Sequence, residues 1–261
     1  SLAGFEVDEA VVTDRGLQYD RRWMLVDRNH CFLTQREYPQ MCLLQTAISG
    51  NDLVVYHKQD PFDRIIVPVN NENKVPALEV RVWDDVCTAL PVSAAADEWF
   101  TRHLSLPCQL VYMPESTHRQ VDLKYAQPGN IAAFSDAYPL LVIGQASLDD
   151  LNNRLPEPLP IERFRPNLVF TGGSPYDEDA MNHIKINGLD MYGVKLCARC
   201  TIPTINPSTA GKGKEPLTTL AAYRSKDNKI YFGQNVLIRQ TGLIKKGNAI
   251  QVISTRELIR L

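Results

Sequence analysis

The sequence predicts a strand-dominated α+β fold, and three features carry that expectation. Short apolar runs with period-two alternation recur along the chain. Turn residues at hairpin spacing separate them, and only three segments carry helix-start chemistry followed by an apolar stripe. With 261 residues, 44% hydrophobic and 22% charged, the chain can bury a sizeable core in one large domain or two modest ones.

The elements follow in order. Residues 22–27 (RWMLVD) and 31–35 (CFLTQ) flank an Arg-Asn-His turn, which is hairpin spacing. Residues 41–48 and 53–56 flank Ser49-Gly50-Asn51-Asp52, a second hairpin signal. Residues 77–83 alternate apolar and polar, turn at Asp84-Asp85 and resume over 86–90. This half therefore reads as antiparallel sheet. One helix interrupts it over 93–104, where Ser93 caps a stripe of Trp99, Phe100 and Leu104.

Residues 113–129 are polar, contain proline and lack clear periodicity, so a boundary or functional loop is expected there. The implied division is 1–112, a linking segment 113–130, and 131–261. The second half carries a short amphipathic helix beginning at Ser147, with Asp150 completing a variant capping box and leucines at 148, 151 and 155. Asn187-Gly188 then sits between Ile184-Lys185-Ile186 and residues 189–196. That is a hairpin whose second strand delivers Cys197 to its end. Pro216 starts a helix to about Arg224, and residues 229–238 and 250–253 supply closing strands.

Composition excludes several classes. A formal net charge of -2 argues against a basic nucleic-acid binder. No run approaches the roughly 20 apolar residues that cross a bilayer, and no secretory start is present, so a cytoplasmic protein without a membrane span is expected. The chain begins at Ser1 instead of methionine, which leaves open a targeting segment removed by processing or truncation. Six cysteines in this length do not make a disulfide scaffold. Cys31, Cys42, Cys87 and Cys108 lie in apolar or strand-like stretches and read as small hydrophobes.

Cys197-Ala198-Arg199-Cys200 differs, because it combines two thiols with a guanidinium that favours a thiolate. Three chemistries compete for it. A closed zinc site needs four ligands, and neither a second Cys-x-x-Cys nor a His pair occurs, with His183 a lone nearby candidate. A thioredoxin-like dithiol opens a helix, whereas Thr201-Ile202-Pro203-Thr204-Ile205 is β-branched and interrupted by proline. The third possibility is one thiolate binding a soft transition metal whose other ligands come from a cofactor.

Phe164-Arg165-Pro166-Asn167, then the cysteine motif with Thr201 and Thr204, then Phe232-Gly233-Gln234-Asn235, resemble in order and spacing the MOSC domain, named after the C-terminal region of molybdenum cofactor sulfurase. Gly16, residues 20–26 (DRRWMLV) and Thr34-Gln35-Arg36 resemble the N-terminal β-barrel domain that accompanies it. Ser135-Asp136 and Gln145-Ala146-Ser147-Leu148 resemble the junction. Nearly the whole chain is covered, and the resemblance extends to the YcbX-like and mitochondrial amidoxime-reducing families. It implies an N-terminal β-barrel-like domain and a MOSC β-barrel domain with short peripheral helices.

The resemblance also implies a site. The cofactor would be the molybdenum cofactor (a molybdenum pyranopterin), with Cys200 the protein ligand to the metal and Cys197 a supporting thiol. Arg21 and Arg165 match positions that anchor the pterin phosphate, Asn167, Ser135 and Asp136 match pterin contacts, and Ala198, Arg199, Gln234 and Asn235 match the edge of the pocket. Ser1 matches the serine of a Lys-Ser pair whose lysine is absent here. Ala198 stands where the motif usually has serine, and Ala137-Tyr138 stands where the mitochondrial relative has smaller hydroxyl residues. The implied reaction is reduction of an N-hydroxylated substrate, its oxygen leaving as water for two electrons and two protons. Electrons would come from a separate ferredoxin or reductase, unless a C-terminal electron-transfer domain has been lost from this chain. A non-catalytic module that carries the cofactor or sulfur is the alternative from another class, and the family also has an association with pyridoxal phosphate.

Overall fold

The computed structural model describes residues 2–70 and 75–257. Strands dominate it, and they form barrel-like sheets with three short α-helices outside them. Ser1 lies outside the described residues, so the expectation placed on it is not addressed by the structure.

In the first half, Leu44–Ser49, Asp52–His57 and Asp60–Pro68 form a three-stranded antiparallel meander. Ser49 pairs with Asp52, so Gly50 and Asn51 make the turn, and Gly50 has the positive φ it needs. Trp23–Val26, Gln109–Tyr112, Asp85–Pro91 and Leu78–Val82 form a second sheet in that order. Val82 pairs with Asp85, which sets the turn at Trp83-Asp84, one residue before the expected place. Residues 31–35 form no strand. They are joined to their neighbours by single bridges, Val26 to Phe32 and Cys31 to Arg81, on the open edge of Trp23–Val26.

The helix Ala94–Leu104 begins as expected, with the Ser93 hydroxyl accepting from the Ala96 amide at 3.2 Å. Its apolar face lowers Ala96, Trp99, Phe100 and Leu104 onto Leu44, Val55 and Leu110. Burying such side chains is the dominant favourable term for this half, at about 1.5–3 kcal/mol each before ordering costs.

The second half is built on a larger sheet in the order Leu168–Phe170, Leu140–Gly144, Lys229–Ile238, Leu189–Ala198, Met181–Ile186, Ile250–Thr255. Asn187 and Gly188 both have positive φ, which is what a two-residue turn of this twist requires. Leu168–Phe170 runs parallel to Leu140–Gly144, and the helix Gln145–Asn152 forms the crossover between them. The expected cap at Ser147 is corrected here. Helix geometry starts at Gln145, and the fully buried Ser147 hydroxyl instead donates to Glu178 at 2.7 Å and accepts from the Tyr176 amide at 2.8 Å. Buried partners took the hydroxyl away from its own helix end. The helix after Pro216 spans Leu217–Ala221, shorter than expected.

The two halves interlock at both ends. Glu9–Thr13 pairs with Gly242–Lys245, and its Val12 packs with Leu140, Val236 and Ile244. Ala133 and Phe134, in turn, pack with Met24, Val26 and Val111 of the first half. The linking segment is pinned by the buried Arg119, which donates to Asp85 and to the carbonyls of Ala133, Ser135 and Asp136. Cys42 and Cys108 are buried and Cys31 and Cys87 half-buried, all as free thiols, and burial pushes the Cys108 thiol up to about 11. Among the described residues no helix is long and apolar enough to cross a membrane.

Candidate functional site

The cysteine motif lies where the strand Leu189–Ala198 runs out. Cys197 and Ala198 still belong to the strand, Ala198 pairing with Tyr231, and the Arg199 amide donates to the Ile230 carbonyl at 2.7 Å. Cys200 then leaves the sheet, and Pro203 and the Thr204 hydroxyl, which donates to the Thr201 carbonyl, close a 3-10 turn over Ile202–Thr204. Both thiols are free and half-buried.

Arg199 folds back and organises this corner. One guanidinium nitrogen lies 3.2 Å from the Cys197 sulfur, another donates to the Phe164 carbonyl at 2.8 Å, and the group lies over the Phe164 ring. Phe164 packs on Phe232 with ring centroids 4.4 Å apart, both fully buried. The three separated sequence motifs therefore meet in one place through an aromatic pair. Gly233 has a positive φ, and a side chain there would come within 2.8 Å of Ile143, so glycine is required where this strand bends past its neighbour.

Next to Phe164 the chain turns sharply at Arg165, which has φ +58. Arg21, reaching the same region from the first half, has φ +55. Non-glycine residues adopt this conformation infrequently. Asn167 joins the halves: its carbonyl oxygen accepts from the Leu141 amide at 3.0 Å and its amide donates to Asp20 at 2.8 Å, while Asp20 accepts from Arg21 at 3.1 Å. Burial and the neighbouring Arg21 push the Arg165 guanidinium down to about 9, with Asp20 and Asp136 opposing. Among the described residues the Arg165 side chain makes no hydrogen bond of its own.

A cavity of about 320 Å³ opens beside it between the halves, lined by Cys42 and Lys58 from one and by Arg163, Arg165, Ile202 and Pro207 from the other. This is a cationic cleft with a guanidinium available for an anion. The fit to a phosphate-bearing group rests on that donor set. Among the described residues no group of three or more His, Cys, Asp or Glu side chains gathers as a metal site, so a metal bound to Cys200 would draw its other ligands from outside the chain.

The remaining expected residues divide. Asp136 joins the cluster, because Arg36 donates to it at 2.6 Å and Arg21 lies close enough to act on it. Burial works against its charge, yet these two arginines hold the carboxyl below its ordinary value. Ser135 neighbours the cluster, but its hydroxyl donates to the Tyr138 carbonyl at 2.8 Å. Gln234 does not come to the arginines: it is fully buried inside the sheet, with its amide on the Met181 carbonyl and against Gly193. Its register places it opposite Leu196 and Val142, which turns it inward, whereas the half-buried Asn235 faces the other way opposite Lys195 and Leu141.

Three residues of the cluster were not singled out from the sequence. Asp20 and Arg119 act as braces, and Arg36 donates to Asp136, with its pKa raised. Burial opposes that rise, and the Asp136 carboxylate and the Cys200 sulfur outweigh it. The only signal for Arg36 was its place in Thr34-Gln35-Arg36. Neighbouring arginines need not share a role: Arg22 is buried on the Met113 carbonyl and Glu115, turned away from Arg21 by the backbone reversal.

Known families match both halves of the chain. Residues 1–107 match the MOSC N-terminal beta barrel domain and residues 130–251 match the MOSC domain. Mitochondrial amidoxime-reducing component 1 of Homo sapiens is 30% identical over 97% of this chain and 80% of its own length. The Xenopus laevis protein of the same name is 27% identical over 98% of this chain and 80% of its own. Molybdenum cofactor sulfurase of Solanum lycopersicum is 31% identical over 92% of this chain but only 32% of its own length. Identity that runs through both matched regions means that the chain belongs to the MOSC family with an N-terminal MOSC beta barrel, the family of the mitochondrial amidoxime-reducing components.

Proposed function

We propose that this chain is a molybdenum-cofactor-dependent oxidoreductase that reduces small N-hydroxylated compounds, with Cys200 as the one protein ligand to the metal. The observation that carries the reading is Arg165: a half-buried guanidinium in a left-handed backbone, crowded by Arg21 and facing a cleft that both halves line. A phosphate there would relieve the crowding of like charges. The names of the amidoxime-reducing relatives support the reaction class.

When bound, the cofactor would supply the two-electron chemistry that removes oxygen from an N–OH group. The chain's own residues do the rest. Arg165 and Arg21 hold the anionic end, Asn167 fixes the distance between the halves through Asp20, and Arg199 orients the strand end that presents the thiols. Asp136 and Ser135 lie at the junction, where Arg119 holds their backbone. Electrons would come from a separate ferredoxin or reductase, or from an electron-transfer domain of the same polypeptide.

The similarity to molybdenum cofactor sulfurase, which covers almost all of this chain, favours a second reading: a module that holds the cofactor or sulfur without turnover. Protein made in a host competent for molybdenum cofactor synthesis separates the two. One molybdenum per chain in the unmodified protein, its loss in Cys200→Ser and its partial retention in Cys197→Ser are expected. Absence of molybdenum from the unmodified protein would refute the leading reading. Bound molybdenum without reduction of an amidoxime by a chemical reductant would leave the carrier module.

A further inference from the structure

Lys195 and Cys197 share one face of the strand Leu189–Ala198, because side chains alternate along it and Leu196 between them is buried. The irregularity beyond Leu196 adds its extra residue to the partner strand, where Leu196 meets Gln234 and Ala198 meets Tyr231, so the alternation over 195–197 is kept. Two residues of strand set the side chains roughly 7 Å apart. Asn235 pairs with Lys195 across the ladder and lies on that face as well. Two rings, from the linking segment and the stretch after it, are laid beside Lys195. Tyr138 packs with Val121, Ala126, Ala132 and Leu237 in a small core, with Tyr125 and Val194 at its margin. Tyr125 and Tyr138 meet edge to face, with centroids 6.4 Å apart at 73°. The half-buried Lys195 places its ammonium 4.3 Å from the Tyr125 centroid and 5.9 Å from that of Tyr138. Lys124 approaches Tyr125 too, at 5.5 Å. Among the described residues no carboxylate pairs with Lys195, and its ammonium donates no hydrogen bond.

The π-faces attract the ammonium and fix its position, but they leave its three N–H groups without oxygen acceptors. An anionic oxygen would meet those donors in charge-assisted bonds. We propose that Lys195, seated on Tyr125 and Tyr138, is a specificity-determining residue that selects N-hydroxylated compounds carrying a carboxylate: the ammonium binds that group while the N–OH end lies toward the cysteine corner. The inference rests on the reading of that corner as the site of reduction. A ring bearing the two groups in para positions matches the step from Lys195 to Cys197. A neutral compound leaves the ammonium unmet, and a positively charged one is repelled by Lys195 and Lys124 together.

The test compares 4-carboxybenzamidoxime with benzamidoxime, using cofactor-loaded protein and a chemical reductant. The unmodified protein is expected to favour the carboxylate by roughly 10-fold in kcat/KM, chiefly through KM, since a hydrogen bond to a charged group discriminates by about that much. That preference should vanish in Lys195→Met, which keeps the stem and removes the charge, and persist in Lys195→Arg. It should weaken in Tyr125→Leu, which removes one ring and leaves the ammonium, and this variant also covers a Lys195→Met that does not fold. Added salt should reduce the preference wherever the charge is present. A brace without a binding role would move the melting temperature and leave the ratio between the two compounds unaltered. Equal kcat/KM values in the unmodified protein, or a preference that survives Lys195→Met, overturn the proposal. If the unmodified protein reduces neither compound, the reduction reading fails by itself. Titration of 4-carboxybenzamidoxime into cofactor-free protein then decides the Lys195 site: binding lost in Lys195→Met supports it, and absent binding or binding indifferent to Lys195→Met overturns it.

Discussion

Arg165 shows how a single residue can work against the stability of the fold that holds it. Its guanidinium is crowded by Arg21, and the pull of burial and like charge moves it down to about 9. A charge placed this way is costly unless a partner arrives. Arg165→Met is expected to act in opposite directions on two measurements. The cofactor-free protein should gain roughly 1 kcal/mol, or about 2–4 °C in melting temperature, while the metal content of the loaded protein falls. A variant that loses both would show that Arg165 is a structural residue.

At the scale of elements, the helix Gln145–Asn152 is held at its start by residues distant in sequence. Glu178 accepts from the Gly144 amide at 3.2 Å and from Ser147, and Ser147 also receives the Tyr176 amide. Ser147→Ala leaves that amide and part of the carboxyl unpaired in a buried place, which is expected to cost about 1–3 kcal/mol in denaturant unfolding. Ser93→Ala, which removes an ordinary cap, should cost about 0.5–2 kcal/mol. Burial raises the Glu178 pKa, opposed by its bonds to Ser147 and the amides. A carboxyl raised in the folded state is still protonated there when the unfolded chain has ionised. Native stability therefore falls as pH rises from the ordinary value of 4.5 through the raised one. Glu178→Gln, which cannot ionise, should become less destabilising relative to the native protein between about pH 4 and about pH 8. A gap in melting temperature that widens over that range would contradict the assignment.

The whole molecule is expected to unfold as one unit, because its two matched regions share strands and cores. Glu9–Thr13 lies between Gly16–Leu17 and Gly242–Lys245, with Val12 fully buried among residues of the second half. Scanning calorimetry should give a single transition with calorimetric and van't Hoff enthalpies in agreement. A chain starting after Thr13 should lose roughly 3 kcal/mol or more, since it strips one sheet of its central strand and opens a cavity around Ile244. Two separated transitions in the intact chain would show that the shared strand does not couple the halves.

Local chemistry determined the parts of this protein that local chemistry can specify. The Ser93 cap, the Asn187-Gly188 turn, the strand Lys229–Ile238 and the arrival of Cys197 at a strand end were all legible, because each depends on residues within a few positions of one another. The spacing of motifs, read as a resemblance, also named Arg21, Arg165, Asn167 and Asp136, which the fold links through Asp20 and the facing charges of the two halves. Only the tertiary structure decided that Ser147 serves Glu178, that Gln234 faces inward, that Arg119 braces the junction and that Arg36 reaches Asp136. Those outcomes turn on register and on pairs more than a dozen residues apart. Side-chain partners of that kind are chosen by which surfaces the packed sheets bring within reach, and no pattern along the chain encodes that choice.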